Sequence, residues 1–230
     1  MSKLLRIFAL LLLGVTTLTG RAQGEHYEGN LFLGAKGGVT LSQTFFNPSV
    51  PQGMKMGAMA GLMLRYIEQE HFGLIAELNF EQRGWKESFD ETSYAYSRTL
   101  NYIQIPVLAH IYFGSPRAHF FINAGPEVGF MIGDSMSCNF DMANYKDLPD
   151  FPKNRQVAQW TLAADKKIDF GISAGLGAEV FLDKKRGSVT LEGRFYYGLG
   201  NVVETGRTQT FSSANSMSIM ASIGYWFQLK

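Results

Sequence analysis

The chain has 230 residues, of which 21 are basic and 20 acidic, and its net charge is +1 at pH 7. This balance gives no electrostatic reason to expect a nucleic-acid partner, and none is predicted. Cys138 is the single cysteine, which excludes a disulfide within the chain. Glycine (25 residues) and aromatic residues (13%) are abundant. Both suit a transmembrane β-barrel, because glycine allows bends and close packing and aromatic rings lie at the membrane interfaces.

The N-terminal residues have the pattern of a secretory signal peptide. Two basic residues precede an apolar run at positions 7–15, and small residues lie near Ala22. The run is shorter than the ~20 apolar residues that a spanning helix requires, which disfavours a transmembrane anchor. We predict export with cleavage after Ala22, so that residues 1–22 are the signal peptide and residues 23–230 form one outer-membrane barrel domain.

Eight segments of the remaining chain alternate apolar and polar side chains, and a period of two predicts β-strands. They are residues 31–41, 54–66, 72–83, 101–113, 120–130, 168–182, 189–199 and 217–227. The connections between them are alternately long and short. An even strand number with short turns at one end is typical of bacterial outer-membrane barrels. The sequence therefore predicts an all-β fold, an eight-stranded antiparallel transmembrane β-barrel with long extracellular loops and with short turns and both termini in the periplasm.

The direction in which each face points separates this fold from a soluble barrel of the lipocalin type. Such a barrel has the same period of two, but its apolar face points inward. In this chain the polar face is rich in glycine and carries both signs of charge. The aromatic residues of the apolar face collect near the strand ends, where they would form two girdles. Both features favour a membrane barrel, so the lipid bilayer of the outer membrane is the first predicted partner.

Charged residues on the predicted inward face are close to balance between acids and bases. An eight-stranded barrel is only wide enough for its own side chains to fill it, and unpaired charges are costly away from water. We predict a structural polar network that fills the lumen. Its members are Lys36, Arg65, Glu77, Glu81, Arg83, Glu127, Asp169, Glu179, Glu192 and Arg194, with Lys55 on the same face. Pro106 lies in the fourth predicted strand, where it should mark a bulge because it cannot donate to the ladder.

Motifs of catalysis and metal binding are missing from the sequence. The four histidines have no metal-ligand spacing, and no GxSxG or P-loop motif occurs in a suitable context. Glu77 with Glu81, and Glu192 with Arg194, could be acid–base or substrate-binding pairs. Ion pairing is the usual role of neighbouring inward charges. We therefore predict no catalytic residue, no cofactor, no metal and no enzymatic activity.

The longest predicted loop, residues 133–167, carries aromatic residues among charged residues and prolines. Exposed aromatic residues in a long loop often form a partner surface. The candidate partner-contact residues are Phe140, Tyr145, Phe151 and Trp160. The same side chains could instead pack on the barrel rim and fold the loop over its mouth. The sequence leaves both possibilities open.

Several strand segments together resemble the PorT family of outer-membrane β-barrel proteins from Bacteroidota-type bacteria. They are YIQIPVL (102–108), AGPEVG (124–129), DFG (169–171), GLG (175–177), RFYYGL (194–199) and GYWF (224–227). The resemblance spans nearly the whole predicted mature chain. In two places the chain departs from the family pattern. Gln104 stands where glutamate is common, and three residues follow Phe227, the terminal aromatic that the barrel assembly machinery reads in many such proteins.

The resemblance implies an integral outer-membrane protein that uses the barrel assembly machinery as a partner during insertion. The member that names the family is linked to protease secretion through the type IX system, so a secretion-system or surface partner is a further expectation. The predicted function is a structural or interaction role at the cell envelope. The alternative is a small, porin-like pore or transporter for solutes.

Overall fold

The computed structural model describes residues 29–89, 92–152, 155–164, 166–182, 187–205 and 209–229. The predicted signal peptide lies outside these residues and stays a prediction. The strands are β1 (Asn30–Asn47), β2 (Gln52–Gly53), β3 (Lys55–Gln69), β4 (Phe72–Glu87), β5 (Tyr96–Ser115), β6 (Ala118–Cys138), β7 (Ile168–Phe181), β8 (Gly187–Asn201) and β9 (Ser213–Gln228). A 3-10 turn (Tyr145–Asp147) and helix α1 (Ala158–Thr161) lie between β6 and β7. No helix in the described part of the chain is long and apolar enough to cross a membrane.

Eight of the strands close into one antiparallel ring. From β3 to β9 each strand pairs with the next one along the chain, and β1 closes the ring by pairing with both β3 and β9. The two-residue strand β2 adds to the edge of β4. The predicted all-β, eight-stranded antiparallel barrel is confirmed, with long connections at one end and short turns at the other.

The strands extend further toward the long-loop end than the sequence predicted. The structure ends β1 at Asn47, β4 at Glu87 and β6 at Cys138, and it begins β5 at Tyr96. A spanning strand needs only about 9–11 residues, so these strands continue past the apolar band. The prediction stopped where the apolar alternation stops. The backbone ladder needs no such alternation, because hydrogen bonds between main-chain groups hold it together.

The expected bulge at Pro106 is not observed. The β4–β5 register is the same on both sides of Pro106, although the pairs opposite Ile105 and Pro106 are missing from that ladder. A register shift does occur between β5 and β6, at Asn101 and Tyr102, where Ile132 of β6 is the extra residue. The lost donor of Pro106 therefore interrupts a ladder locally without moving the register.

The outward face of the ring is apolar and exposed all the way round. Leu176, Met56 and Ile223 are 71%, 67% and 62% exposed, values that are costly in water and expected in lipid. Exposed aromatic rings occupy both ends of this face. Those near the short turns are Tyr66, Phe72, Phe113, Phe120, Tyr225 and Phe227, and those near the long loops include Phe130, Phe170 and Tyr197. The aromatic positions thus match the two predicted girdles.

Candidate functional site

The barrel interior is filled by side chains in layers that follow one another along the axis. The structure places all ten predicted lumen residues inside the ring, each at most 7% exposed. Lys55 differs from the prediction. Its half-buried side chain lines a cleft at the long-loop end, because β3 leaves β4 beyond the Met59–Glu81 pair. The ten residues form three separate charged layers.

The layer nearest the short turns is a single buried ion pair. Arg65 donates from Nη1 and Nη2 to the two carboxylate oxygens of Glu179, at 2.6 and 2.8 Å. The guanidinium lies between the rings of Phe32 and Trp226, 4.4 and 4.6 Å from their centroids. Ser188 donates a further hydrogen bond to Glu179. This geometry holds the arginine rigidly across the lumen, since a bidentate pair and two ring faces restrict every rotation.

The middle layer contains two cations and two carboxylates and is balanced in charge. Glu77 accepts from Lys36 Nζ at 2.7 Å and from Arg194 Nη1 and Nη2 at 2.7 and 2.8 Å. Arg194 also donates to Glu192, at 2.9 Å, and Asn123 donates to the same carboxylate at 2.8 Å. Every carboxylate therefore has a cation and a neutral or second charged donor, which is the arrangement that offsets the cost of burial.

The layer nearest the long loops gathers three carboxylates around one cation. Arg83 donates to Glu81 at 2.9 Å, to Glu127 at 2.6 Å and to Asp169 at 3.2 Å. Its guanidinium also lies 3.7 Å from the centroid of the Tyr196 ring. Among the described residues, no other cation forms an ion pair with these three acids. Arg83 is therefore the residue on which this layer depends.

Neutral donors complete the layer around Arg83. Gln104 donates to Glu81, Ser173 donates to Glu127, and the Tyr196 hydroxyl donates to Asp169 at 2.9 Å. Gln104 is the position where the resembling family often has glutamate. In this chain a glutamate there would add a fourth carboxylate and remove a donor, so the surrounding layer explains why glutamine suits this position.

Apolar and aromatic side chains fill the lumen around and between the charged layers, which the sequence did not predict. They include Phe32, Met59, Met63, Ile67, Ile75, Leu108, Tyr112, Phe121, Tyr196, Met220 and Trp226. In β3, apolar residues lie on both faces, so the alternation that marks an inward position is lost there. Every second residue of β3, counted from the inward Arg65, points into the barrel, and this count places Met59 and Met63 in the lumen.

The long connection between β6 and β7 closes the mouth of the barrel. We call its described residues 139–152 and 155–164 the lid. Trp160 of the lid is 4% exposed, and Phe140, Tyr145 and Phe151 are half-buried around it. Beneath them lie rim residues of the barrel, including Phe46, Trp85, Tyr96, Val203 and Phe211. The structure thus brings the four candidate aromatic residues together over the mouth, and partner contact by this loop stays a prediction.

Glu87, at the end of β4, anchors the lid by accepting hydrogen bonds from three lid side chains. The buried carboxylate accepts from Arg155 Nη2 at 2.9 Å, from Gln159 Nε2 at 2.8 Å and from Trp160 Nε1 at 2.8 Å. Arg155 also donates to the Ser88 carbonyl at 2.7 Å. Charge-assisted hydrogen bonds of this kind are about twice as strong as neutral ones.

Arg98 forms a second anchor for the lid. Arg98 of β5 donates to the carbonyl oxygens of Leu162, at 2.7 Å, and Gln159, at 3.3 Å, while it forms an ion pair with Asp134. The sequence missed both anchors, because Glu87 and Arg98 fall within residues 84–99, which were predicted to be a loop. A buried charged residue outside the apolar pattern carries no periodic signal.

The exposed side of the lid is polar. Asp141 accepts from the backbone N–H of Ala143 at 2.9 Å and from the Asn144 amide at 2.8 Å. These bonds, that of the Ala143 N–H first, hold the pKa of the Asp141 carboxyl below its ordinary value. The surface that the lid presents to solvent is therefore charged at neutral pH, while its aromatic side chains face the barrel.

Two cavities lie within or below the charged layers. One, of about 280 Å³, opens at the short-turn end and is lined by residues that include Arg65, His110, Tyr112 and Phe181. The other measures about 10 Å³, which is room for one water molecule, and lies beside the middle layer near Glu77. Neither is lined by Arg83 or by the lid. Within the described residues, no group of three or more histidine, cysteine or acidic side chains is arranged to hold a metal ion.

The chain matches a known protein family. The family described as outer membrane protein beta-barrel domain matches residues 21–204. The chain belongs to this family. As a member of the outer membrane protein beta-barrel domain family, it is an outer-membrane protein whose exposed apolar face contacts the lipid bilayer. No curated protein matches the chain.

Solved barrels of low sequence identity are similar to this member of the family. Neisserial surface protein A is 11% identical, covers 84% of this chain and 95% of its own, and has a TM-score of 0.43. OprG from Pseudomonas aeruginosa is 12% identical, covers 86% of this chain and 96% of its own, and has a TM-score of 0.44. The outer membrane enzyme PagL is 15% identical, covers 83% of this chain and 97% of its own, and has a TM-score of 0.35. A role without catalysis stays a prediction for this chain.

Proposed function

We propose that this protein is a closed outer-membrane barrel that acts through its surface, in a structural or interaction role, and neither conducts solutes nor catalyses a reaction. The observation that carries the proposal is the filled lumen under an anchored lid. In the proposed orientation the lid faces the cell exterior, and the short turns and both termini face the periplasm. Export would use the signal peptide of residues 1–22, and insertion would use the barrel assembly machinery.

The energetics of the lumen support closure. A solute path would have to cross the layers centred on Arg65, Glu77 and Arg83 and then displace the lid. Separating the partners of a buried ion pair costs about 3–5 kcal/mol, because each charge is left without water or a counter-ion. Three such layers in series make spontaneous opening very rare. The same argument assigns the inward carboxylates a structural role, since each is already committed to a cation.

Conductance measurements test the closed barrel directly. We expect the full mature protein, inserted in planar lipid bilayers, to show no step-like conductance. A variant without residues 139–164 should also stay silent, because the charged layers remain in place below the lid. Insertion is verified by the heat-dependent mobility shift of a folded barrel. Step-like currents from the complete protein would overturn the proposal in favour of the pore or transporter.

The resemblance to the PorT family supports a finer proposal, in which the surface partner belongs to the type IX secretion system. In a strain that lacks the protein, we expect type IX cargo to accumulate in the periplasm and to disappear from the secreted and surface proteome. Expression of the wild-type chain should restore its export. An unchanged proteome would leave an envelope barrel without a secretion role, whatever the conductance result.

A further inference from the structure

A cleft opens in the barrel wall where β3 separates from β4. The β3–β4 ladder ends at the Met59–Glu81 pair, and β4 continues to Glu87 beside the short strand β2. The resulting cleft has a volume of about 430 Å³. Its lining includes Met54, Lys55 and Met56 from the β3 side, and Lys86, Ser97 and Ser137 from the β4–β6 side.

The chemistry of the cleft is cationic on one side and apolar on the other. Lys86, Ser97 and Ser137 are cross-strand neighbours that form one row on the wall. Neither Lys55 nor Lys86 forms an ion pair with any acid among the described residues, and no carboxylate lines the cleft. Met54 and Met56 are 43% and 67% exposed beside these amines. The cleft therefore combines two ammonium groups that have no ion-pair partner among the described residues, hydroxyl donors and a flexible apolar surface.

Gly84 makes room for one of the two lysines. A Cβ at this position would lie 3.3 Å from Lys55 Cδ and would collide with the Arg98 carbonyl oxygen. The φ of Gly84 is +146°, a conformation that side-chain-bearing residues rarely adopt. The Lys55 stem can therefore lie across β4 because residue 84 is glycine, and this brings its amine to the same cleft as Lys86.

The cleft lies at the outer edge of the lipid headgroup layer, within reach of its lysine side chains. The outward residues of β4 and β5 change from apolar to amide at Gln82 and Asn101, which hydrogen-bond to each other at 3.2 Å. Lys86 lies four residues further along β4. At a rise of about 2.3 Å per residue along the membrane normal, this is about 9 Å above the amide pair. The interfacial layer is about 5–8 Å thick on each side, and flexible lysine side chains reach back toward it.

We propose that this cleft binds the phosphorylated headgroup of an outer-leaflet lipid. Lys55 and Lys86 neutralise the phosphate, Ser97 and Ser137 donate hydrogen bonds to its oxygens, and Met54 and Met56 contact the apolar part of the lipid. The proposal rests on the proposed function only for the choice of leaflet, because that choice follows from the orientation of the barrel.

Lipid binding to the full chain in detergent micelles, followed by native mass spectrometry, tests the proposal. The probes are bis-phosphorylated lipid A, the same lipid with both phosphates removed, and inorganic phosphate. We expect the wild-type protein to bind the phosphorylated lipid at one copy per chain and the dephosphorylated lipid at least about tenfold more weakly. The double variant Lys55→Gln/Lys86→Gln should lose about five- to tenfold in affinity, the size expected for two exposed charge contacts.

A matched control removes the same charge elsewhere. Lys146→Gln/Lys166→Gln changes two exposed lysines outside the cleft and should bind within about twofold of the wild type. Equal losses in both double variants, or no loss in the cleft variant, would overturn the proposal. Displacement of the lipid by millimolar inorganic phosphate would also overturn it, since a free anion would then be the ligand. None of these binding results bears on the conductance measurement. The lipid-binding proposal and the proposed closed barrel can therefore fail independently.

Discussion

Replacing Arg83 with methionine should destabilise the barrel by about 3–5 kcal/mol, more than any other single change in the lumen. The substitution leaves Glu81, Glu127 and Asp169 together in a layer that is closed to solvent, with no cation among the described residues to pair with them. Methionine keeps most of the side-chain volume, so the loss reports charge and hydrogen bonding more than packing. Urea unfolding of the folded protein in lipid vesicles measures the free energy change.

Two further variants make the Arg83 result specific. Arg117→Met removes an exposed arginine in a short turn and should change the free energy of unfolding by no more than about 0.5 kcal/mol. Glu81→Gln, added to Arg83→Met, should recover part of the lost stability, because it removes one of the three unpaired acids. If Arg83→Met unfolds like Arg117→Met, the layer is not held by the arginine and its assigned structural role is wrong.

Replacing Glu87 with alanine should open the lid while the barrel stays folded. The change leaves the donors of Arg155, Gln159 and Trp160 without their shared acceptor. Loss of charge-assisted bonds worth about 3 kcal/mol in total raises the open population, and with it the rate of proteolysis, about 100-fold. Trypsin cleavage after Lys146 in proteoliposomes, followed by mass spectrometry, measures this rate.

The lid offers its own control for Glu87. Asp147→Ala removes an exposed acid next to the cleavage site and should leave the cleavage rate within about twofold of the wild type. The heat-dependent mobility shift should be unchanged in both variants, because Glu87 lies at the end of β4, beyond the last β3–β4 pair, and Asp147 lies in the lid. A cleavage rate in Glu87→Ala that equals that of Asp147→Ala would show that the aromatic cluster alone holds the lid closed.

The two anchors of the lid could not be predicted from the sequence pattern. Glu87 and Arg98 belong to strands β4 and β5 in the structure. Both lie outside the apolar alternation of residues 72–83 and 101–113, and the sequence predicts a loop between these two segments. Their role depends on Arg155, Gln159 and the carbonyl of Leu162, which lie 61 to 72 residues away along the chain. No local pattern encodes such a pairing, because it forms only after the ring has closed and the lid has folded down.

The strand number, the antiparallel ring and the inward position of ten charged side chains follow from the sequence alone. These follow from a period of two, from the alternating loop lengths and from the energetic need for an apolar surface against lipid. Which acid pairs with which base depends on how the strands come together in the closed ring. Arg83 finds its partners on β4, β6 and β7, up to 86 residues away in the chain. The reason is physical: the stagger of strands in a closed barrel sets which inward residues share one height, and that stagger is a property of the whole ring.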